Sequence, residues 1–187
     1  AVAGPVTVAG QGTWTISGTD IVFTPAPGFQ VDPDPIRYRI TDVTGDAVNA
    51  RITLDYVPAA VDDSSLGHAI GSVVDVSVLT NDDGDVDAST LVFTSNGGTT
   101  LAVPGSGTWT VGAGGVIRFT PEPGFLTDPA PVGYTVTDVT GDSTSATVTV
   151  GYVPLAVNDT SIDNPIQTDV IVDVLANDDG DFPSGGV

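Results

Sequence analysis

The sequence predicts an all-β chain of tandem β-sandwich repeats, and three observations carry that prediction: a composition poor in helix formers, a self-match of fixed period, and strict side-chain alternation within each period. Val, Thr, Gly, Pro and Asp dominate, Lys and Met are absent, and Glu122 is the single glutamate. Such a chain favours short strands joined by turns. Its 187 residues, 40% of them hydrophobic, hold enough apolar side chain for packed cores.

The period comes from sliding the chain on itself. GTWTISGTDIVFTPAPGF…IRYRITDVTGDAVNARITLDYVPAAVDD matches GTWTVGAGGVIRFTPEPGF…VGYTVTDVTGDSTSATVTVGYVPLAVND. Asp42 and Asp138 stand 96 positions apart, as do Asn81 and Asn177, while Trp14 and Trp109 are 95 apart, with one residue inserted near Gly114. An insertion at a turn is the tolerated kind.

Each element follows from its local pattern. Ile36, Tyr38 and Ile40 alternate with Arg37 and Arg39, and Val132, Tyr134 and Val136 alternate with Gly133 and Thr135, so one face is buried and the other solvated. After a VTGD turn the alternation resumes through Ala50, Ile52, Leu54 and Tyr56, and again through Ala146, Val148, Val150 and Tyr152, which makes a β-hairpin. Further strands are expected over 73–79, 91–94, 101–103, 109–111 and 116–120. The PxPGF turns and the Asp-Pro steps at Asp32, Asp34 and Asp128 stop strands, because proline cannot donate to a ladder. About seven short strands per period read as an immunoglobulin-like sandwich.

The boundary between units is placed after YVP, where a hairpin strand ends in a short extended Val-Pro linker. Residues 59–154 then form one complete repeat. Residues 1–58 are the C-terminal part of the repeat before it, and 155–187 the N-terminal part of the next. The two ends are complementary, so one chain's tail completing the next chain's head, a head-to-tail self-association by strand exchange, is a further expectation.

Charge excludes several classes of function. The 23 aspartates and one glutamate face only four arginines, a formal charge of −20 that repels a phosphate backbone and excludes nucleic acid as a partner. Cysteine is absent, so there is neither a disulfide framework nor a thiolate metal site. The lack of lysine excludes a Lys-Asn isopeptide staple. No apolar run approaches the roughly 18 residues of a membrane span, so no membrane insertion is expected, and no signal peptide opens the sequence. The stretch reads as internal to a longer precursor.

The motifs GTWTV, GGVIRFTPEPGF, PVGYTVTDVTGD, GYVP and VIVDVLANDDGD, most of them present in two copies, resemble the repeats of giant bacterial surface adhesins: the CshA-type fibril repeat and its cadherin-like, RTX-adhesin relatives. The resemblance covers nearly the whole chain. It implies an extracellular stalk or extender on the bacterial cell surface, a fibril that holds a distal domain away from the cell, with neighbouring repeats of the same chain as its partners. The rival readings are a self-assembled extracellular fibre and a ligand-binding adhesin module.

In an immunoglobulin-like strand order three acidic elements map to one end: Asp62 and Asp63, then the NDDGDVD loop with Asn81, Asp82, Asp83, Asp85 and Asp87, then the TDVTGD hairpin with Asp138 and Asp142. That end faces the preceding repeat. Ca2+ takes six to eight oxygens, mostly carboxylate and carbonyl, and these loops offer that many. The same residues also serve as Asx-turn formers and solubilising charge. Catalysis is not expected, because no Ser-His-Asp or paired-carboxylate motif stands out. The lone His68 is placed in a loop, and Trp14 and Trp109, recurring at strand starts, are placed in the core.

Overall fold

A computed structural model describes residues 4–182, all of them in strands, turns or extended segments. Residues 1–3 and 183–187, at the outer ends of the first and third segments, lie outside the described residues. The chain runs through β1 (Val6–Val8), β2 (Gly12–Ser17), β3 (Asp20–Pro25), β4 (Ile36–Thr41), β5 (Ala47–Ile52), β6 (Asp63–Ala69), β7 (Val74–Ser77), β8 (Val86–Phe93), β9 (Thr100–Val103), β10 (Gly107–Gly112), β11 (Val116–Pro121), β12 (Val132–Asp138) and β13 (Ser143–Val153).

Strands β6 to β13 build two four-stranded sheets, β7-β11-β10-β9 and β6-β13-β12-β8. Alternation decides the inner faces: Val132, Tyr134 and Val136 of β12 point inward with Val148 and Val150 of β13, and they meet Val74, Val76, Trp109, Ile117 and Phe119 of the other sheet. Most of these side chains are 0–2% exposed, each burial stabilising by roughly 1.5–3 kcal/mol. Trp109 stacks tilted on Phe119, centroids 4.6 Å apart, and Phe119 meets Phe125 edge-on at 6.0 Å. Phe125 reaches that position through the PEPGF turn, where Gly124 takes a φ of 84° and the Phe125 N–H donates to the Glu122 carbonyl.

The unit holds eight strands where seven are expected from alternation. The additional one is β6, which pairs parallel to β13 from Val148–Asp63 to Val153–Ala69 with a register shift between Val150 and Tyr152. His68 is therefore a strand residue and not a loop residue: it is half-buried opposite Tyr152, and its Nε2 lies 2.8 Å from the Ser65 hydroxyl. Gly67, at a φ of 82°, interrupts the alternation that marks the other strands.

Residues 4–58 repeat the second half of this architecture. A β1-β2-β3 sheet and a β4-β5 hairpin carry the same aromatic triplet, Trp14 on Phe23 at 4.8 Å and Phe23 on Phe29 at 6.1 Å. Trp14, Ile16, Ile21, Ile36 and Tyr38 line a cleft of about 560 Å3. Residues 155–182 form no strand. The Val170–Val172 segment that matches β7 is not in a strand.

Candidate functional site at the junction between repeats

The linker YVP enters the closed sandwich through a short backbone bridge: Ala59 and Asp83 exchange N–H to carbonyl bonds of 3.0 and 2.9 Å. Pro58 lies directly on Gly84, where a Cβ would stand 2.9 Å from the proline ring. Any side chain at Gly84, held at a φ of 104°, displaces the linker. In the preceding half-repeat one residue anchors the strand that leads to the linker and another reaches across the seam. The Asp32 carboxylate accepts the Tyr56 N–H at 2.7 Å, and the Gln30 amide donates to Asp83 Oδ1 at 2.6 Å.

The next seam repeats this arrangement. Leu155 bridges Asp179, Asp128 accepts the Tyr152 N–H at 2.6 Å, and Pro154 lies on Gly180. Asp82 accepts the Val61 N–H at 2.8 Å and Asp178 the Val157 N–H at 2.6 Å.

The nine acidic-loop residues expected to act together divide into separate groups. Asp63 and Asp82 gather round the Tyr134 hydroxyl, which donates within reach of Asp63 Oδ2 (2.9 Å) and the Val78 carbonyl (2.9 Å), with Asp82 at 3.4 Å. Burial pushes the Asp63 carboxyl up, opposed by the Tyr134 hydroxyl and reinforced by the Asp82 charge, while Asn81 hydrogen-bonds it. Burial also raises Asp82, against the Val61 and Tyr134 hydrogen bonds. The phenol of Tyr134 is pushed far above its ordinary value, by burial first and then by Asp63 and Asp82. Asp62 and Asp87 are engaged elsewhere: their Oδ1 atoms accept the N–H groups of Thr147 (2.8 Å) and Ser89 (2.9 Å), and those bonds hold both below the usual carboxylate value. Asp83 is committed to Gln30 and the Ala59 bridge.

Asp85, Asp138 and Asp142 face the seam. In the TDVTGD turn the Oδ1 of Asp138 takes N–H bonds from Thr140 (3.0 Å), Gly141 (2.7 Å) and Asp142 (2.9 Å) and the Thr140 hydroxyl at 2.9 Å. Burial opposes ionisation of this group, but those donors outweigh it and hold the carboxyl below its ordinary value. The turn is built by one oxygen. The other, Oδ2, is buried with no partner, in a residue only 4% exposed.

Across the seam stands Asp55, at the end of the preceding half-repeat, whose Oδ1 also lies 2.9 Å from the Thr140 hydroxyl, so that one proton is shared between Asp55 and Asp138. Asp55, Asp138 and Asp142 bring carboxylate oxygens within 4.8 Å of one another. Asp32 adjoins them: burial raises its carboxyl, the Tyr56 N–H opposes this, and the charges of Asp85 and Asp55 add to the rise. Asp85 itself has a buried Oδ1 without a partner. Sequence reasoning passes over Asp32, Asp55, Gln30 and Thr140. A signal for Asp55 does exist, since the position 96 residues later is Gly151, a departure between otherwise matching strands.

Ser65 and His68 are hydrogen-bonded, but no carboxylate orients the imidazole among the described residues, and the pair lies on one strand, away from this seam. Trp14 and Trp109 are 3% and 1% exposed, in their cores.

Two sandwich sheets with acidic loops at a Val-Pro seam define a tandem immunoglobulin-like module, and comparison with known proteins places it further. Residues 55–151 match the bacterial Ig domain family, and the chain belongs to that family. Residues 2–59 match the surface adhesin CshA repetitive domain. Among solved structures, the chain is similar to the N-terminal eight Ig domains of Down syndrome cell adhesion molecule isoform 1.30.30. Identity is 11% and the TM-score 0.36, over 75% of this chain and 19% of that one. The chain thus spans about a fifth of that structure's length. No curated protein matches the chain.

Proposed function

We propose that this chain is a spacer section of a bacterial cell-surface adhesin or fibril, a non-catalytic run of immunoglobulin-like repeats whose joints set the direction of each repeat relative to the last. The observation that supports the reading is the recurrence of one joint at both seams, 96 residues apart: a two-bond backbone bridge, a proline seated on a glycine, and an aspartate receiving the N–H of the tyrosine before the linker. A linker that served only as tether has no need of such fixed contacts. Repetition of rigid units with nearest-neighbour interfaces produces reach, and reach is the function of a stalk.

Small-angle scattering on arrays of two, four and six repeats tests the proposal. The maximum dimension is expected to grow by a constant increment per repeat. Growth as the square root of repeat number, the behaviour of beads on flexible tethers, overturns it.

A further inference from the structure

The outer face of the β4-β5 hairpin, we infer, binds a carboxylated polysaccharide through Arg37, Arg39 and Arg51. The chain has four arginines and no lysine against 24 acidic residues, and three of the four arginines fall on this one hairpin. Pairing puts them on one side: Arg37 and Arg39 are two residues apart on β4, Arg51 of β5 is the register partner of Arg37, and Asn49 is the partner of Arg39. All three arginines are exposed.

Arg118 shows how an outward arginine is accommodated when it serves the fold alone. Its register partner on β7 is Asp75, whose carboxylate accepts Arg118 Nε at 2.7 Å and Nη2 at 2.8 Å. Arg37 instead faces another arginine across the ladder. Like charges directly opposite each other, with Cβ atoms about 5 Å apart, destabilise a strand pair. None of the three hairpin arginines joins a salt bridge among the described residues. The matching positions 96 residues later are Gly133, Thr135 and Thr147, so the repeat folds without these charges. An unneutralised triplet that opposes its own strand pairing is explained by an anion that binds it.

The neighbours on that face choose the kind of anion. Thr41, Ala47 and Asn49 lie beside the arginines, all of them exposed and none a large apolar side chain of the sort that anchors a protein partner. A polyuronate presents carboxylates along a hydroxylated chain. The carboxylates match the planar guanidinium forks, spaced about 7 Å apart along β4, and the sugar hydroxyls match Asn49 and Thr41. Its charge is also sparser than the one per about 1.7 Å of duplex DNA, which the chain's net −20 repels.

The test is calorimetric titration of the 187-residue chain with polygalacturonate in EDTA, which removes any metal bridge between carboxylates. Saturable binding that weakens as NaCl is raised is expected. The double variant Arg39→Thr, Arg51→Thr, which installs the residues of the matching repeat, is expected to bind weaker by about tenfold or more. Arg118→Gln removes one positive charge elsewhere and is expected to leave the affinity within about twofold. Threonine suits an exposed strand position, and unchanged melting midpoints certify that the variants fold. Absence of binding, equal weakening by Arg118→Gln, or binding of a DNA duplex as tight as that of polygalacturonate overturns the assignment. So does salt-sensitive self-association in place of polysaccharide binding, abolished by the double variant, which gives the face to the acidic surface of a second copy. The spacer reading stands apart from this face: polygalacturonate can fail to bind while the scattering increment per repeat stays constant.

Discussion

Residues 4–58 and 63–153 carry the same motifs, yet one is an open half-sandwich and the other a closed one. Ile40 is 56% exposed where its counterpart Val136 is fully buried. The local geometry barely differs: the Trp-Phe pair is tilted by 43° in one and 42° in the other. Strand pairing and aromatic contacts are therefore set within short sequence reach, while burial depends on three strands, β6, β7 and β8, that come from earlier in a repeat. The hairpins are local, and the core is long-range.

Four measurements break or sharpen that contrast. Phe119→Ala removes a fully buried ring, and the closed repeat is expected to lose about 3–5 kcal/mol in urea unfolding, while Phe23→Ala, half-buried in the open unit, costs clearly less. Equal losses would make the two cores equivalent.

Next in size is Gly107→Ala. Its Cβ would lie 2.4 Å from the Thr120 carbonyl oxygen and 2.8 Å from the Phe119 ring. Overpacking of about 1–3 kcal/mol is expected, read as a lower melting midpoint.

The third is pH. Asp63 and Asp82 are raised by burial at Tyr134, so the fold binds protons there more tightly than the unfolded chain, and stability is gained as pH falls toward the ordinary carboxylate value of 3.8. Asp62, Asp75 and Asp87 are lowered by their hydrogen bonds, so the stability they contribute is lost as pH falls below 3.8. The closed repeat is thus expected to show a stability maximum just above that value in a melt series. The double variant Asp63→Asn, Asp82→Asn flattens the rise on its alkaline side. A profile unchanged by the double variant removes these two groups as its cause.

The smallest effect is Ile40→Ala. Its side chain is already more than half exposed, so the midpoint is expected to stay within about 0.5 kcal/mol of the parent.

Alternation made β4, β5, β12 and β13 legible in the sequence, and the recurring tryptophans announced the core. β6 was hidden for two physical reasons. SSLGHAI carries a glycine at positive φ that breaks its period, and its partner β13 lies some 85 residues away in parallel register. The candidate site was half legible. The turn aspartates Asp138 and Asp142 were named from their acidic context, but Asp55 sits on the solvent side of an alternating strand, LDY, and reads as an ordinary exposed charge. Only the meeting of that strand's end with a hairpin more than 80 residues later gives it a partner, through Thr140.

The parallel pairing of β6 with β13 also decides how a repeat carries tension. The chain enters the closed sandwich at the start of β6 and leaves it at the end of β13, and these two strands are hydrogen-bonded neighbours running the same way. A pull on the two ends of the repeat drags the strands past each other along their length. The bonds from Val148–Asp63 to Val153–Ala69 are then loaded together in shear and not opened one at a time like a zip.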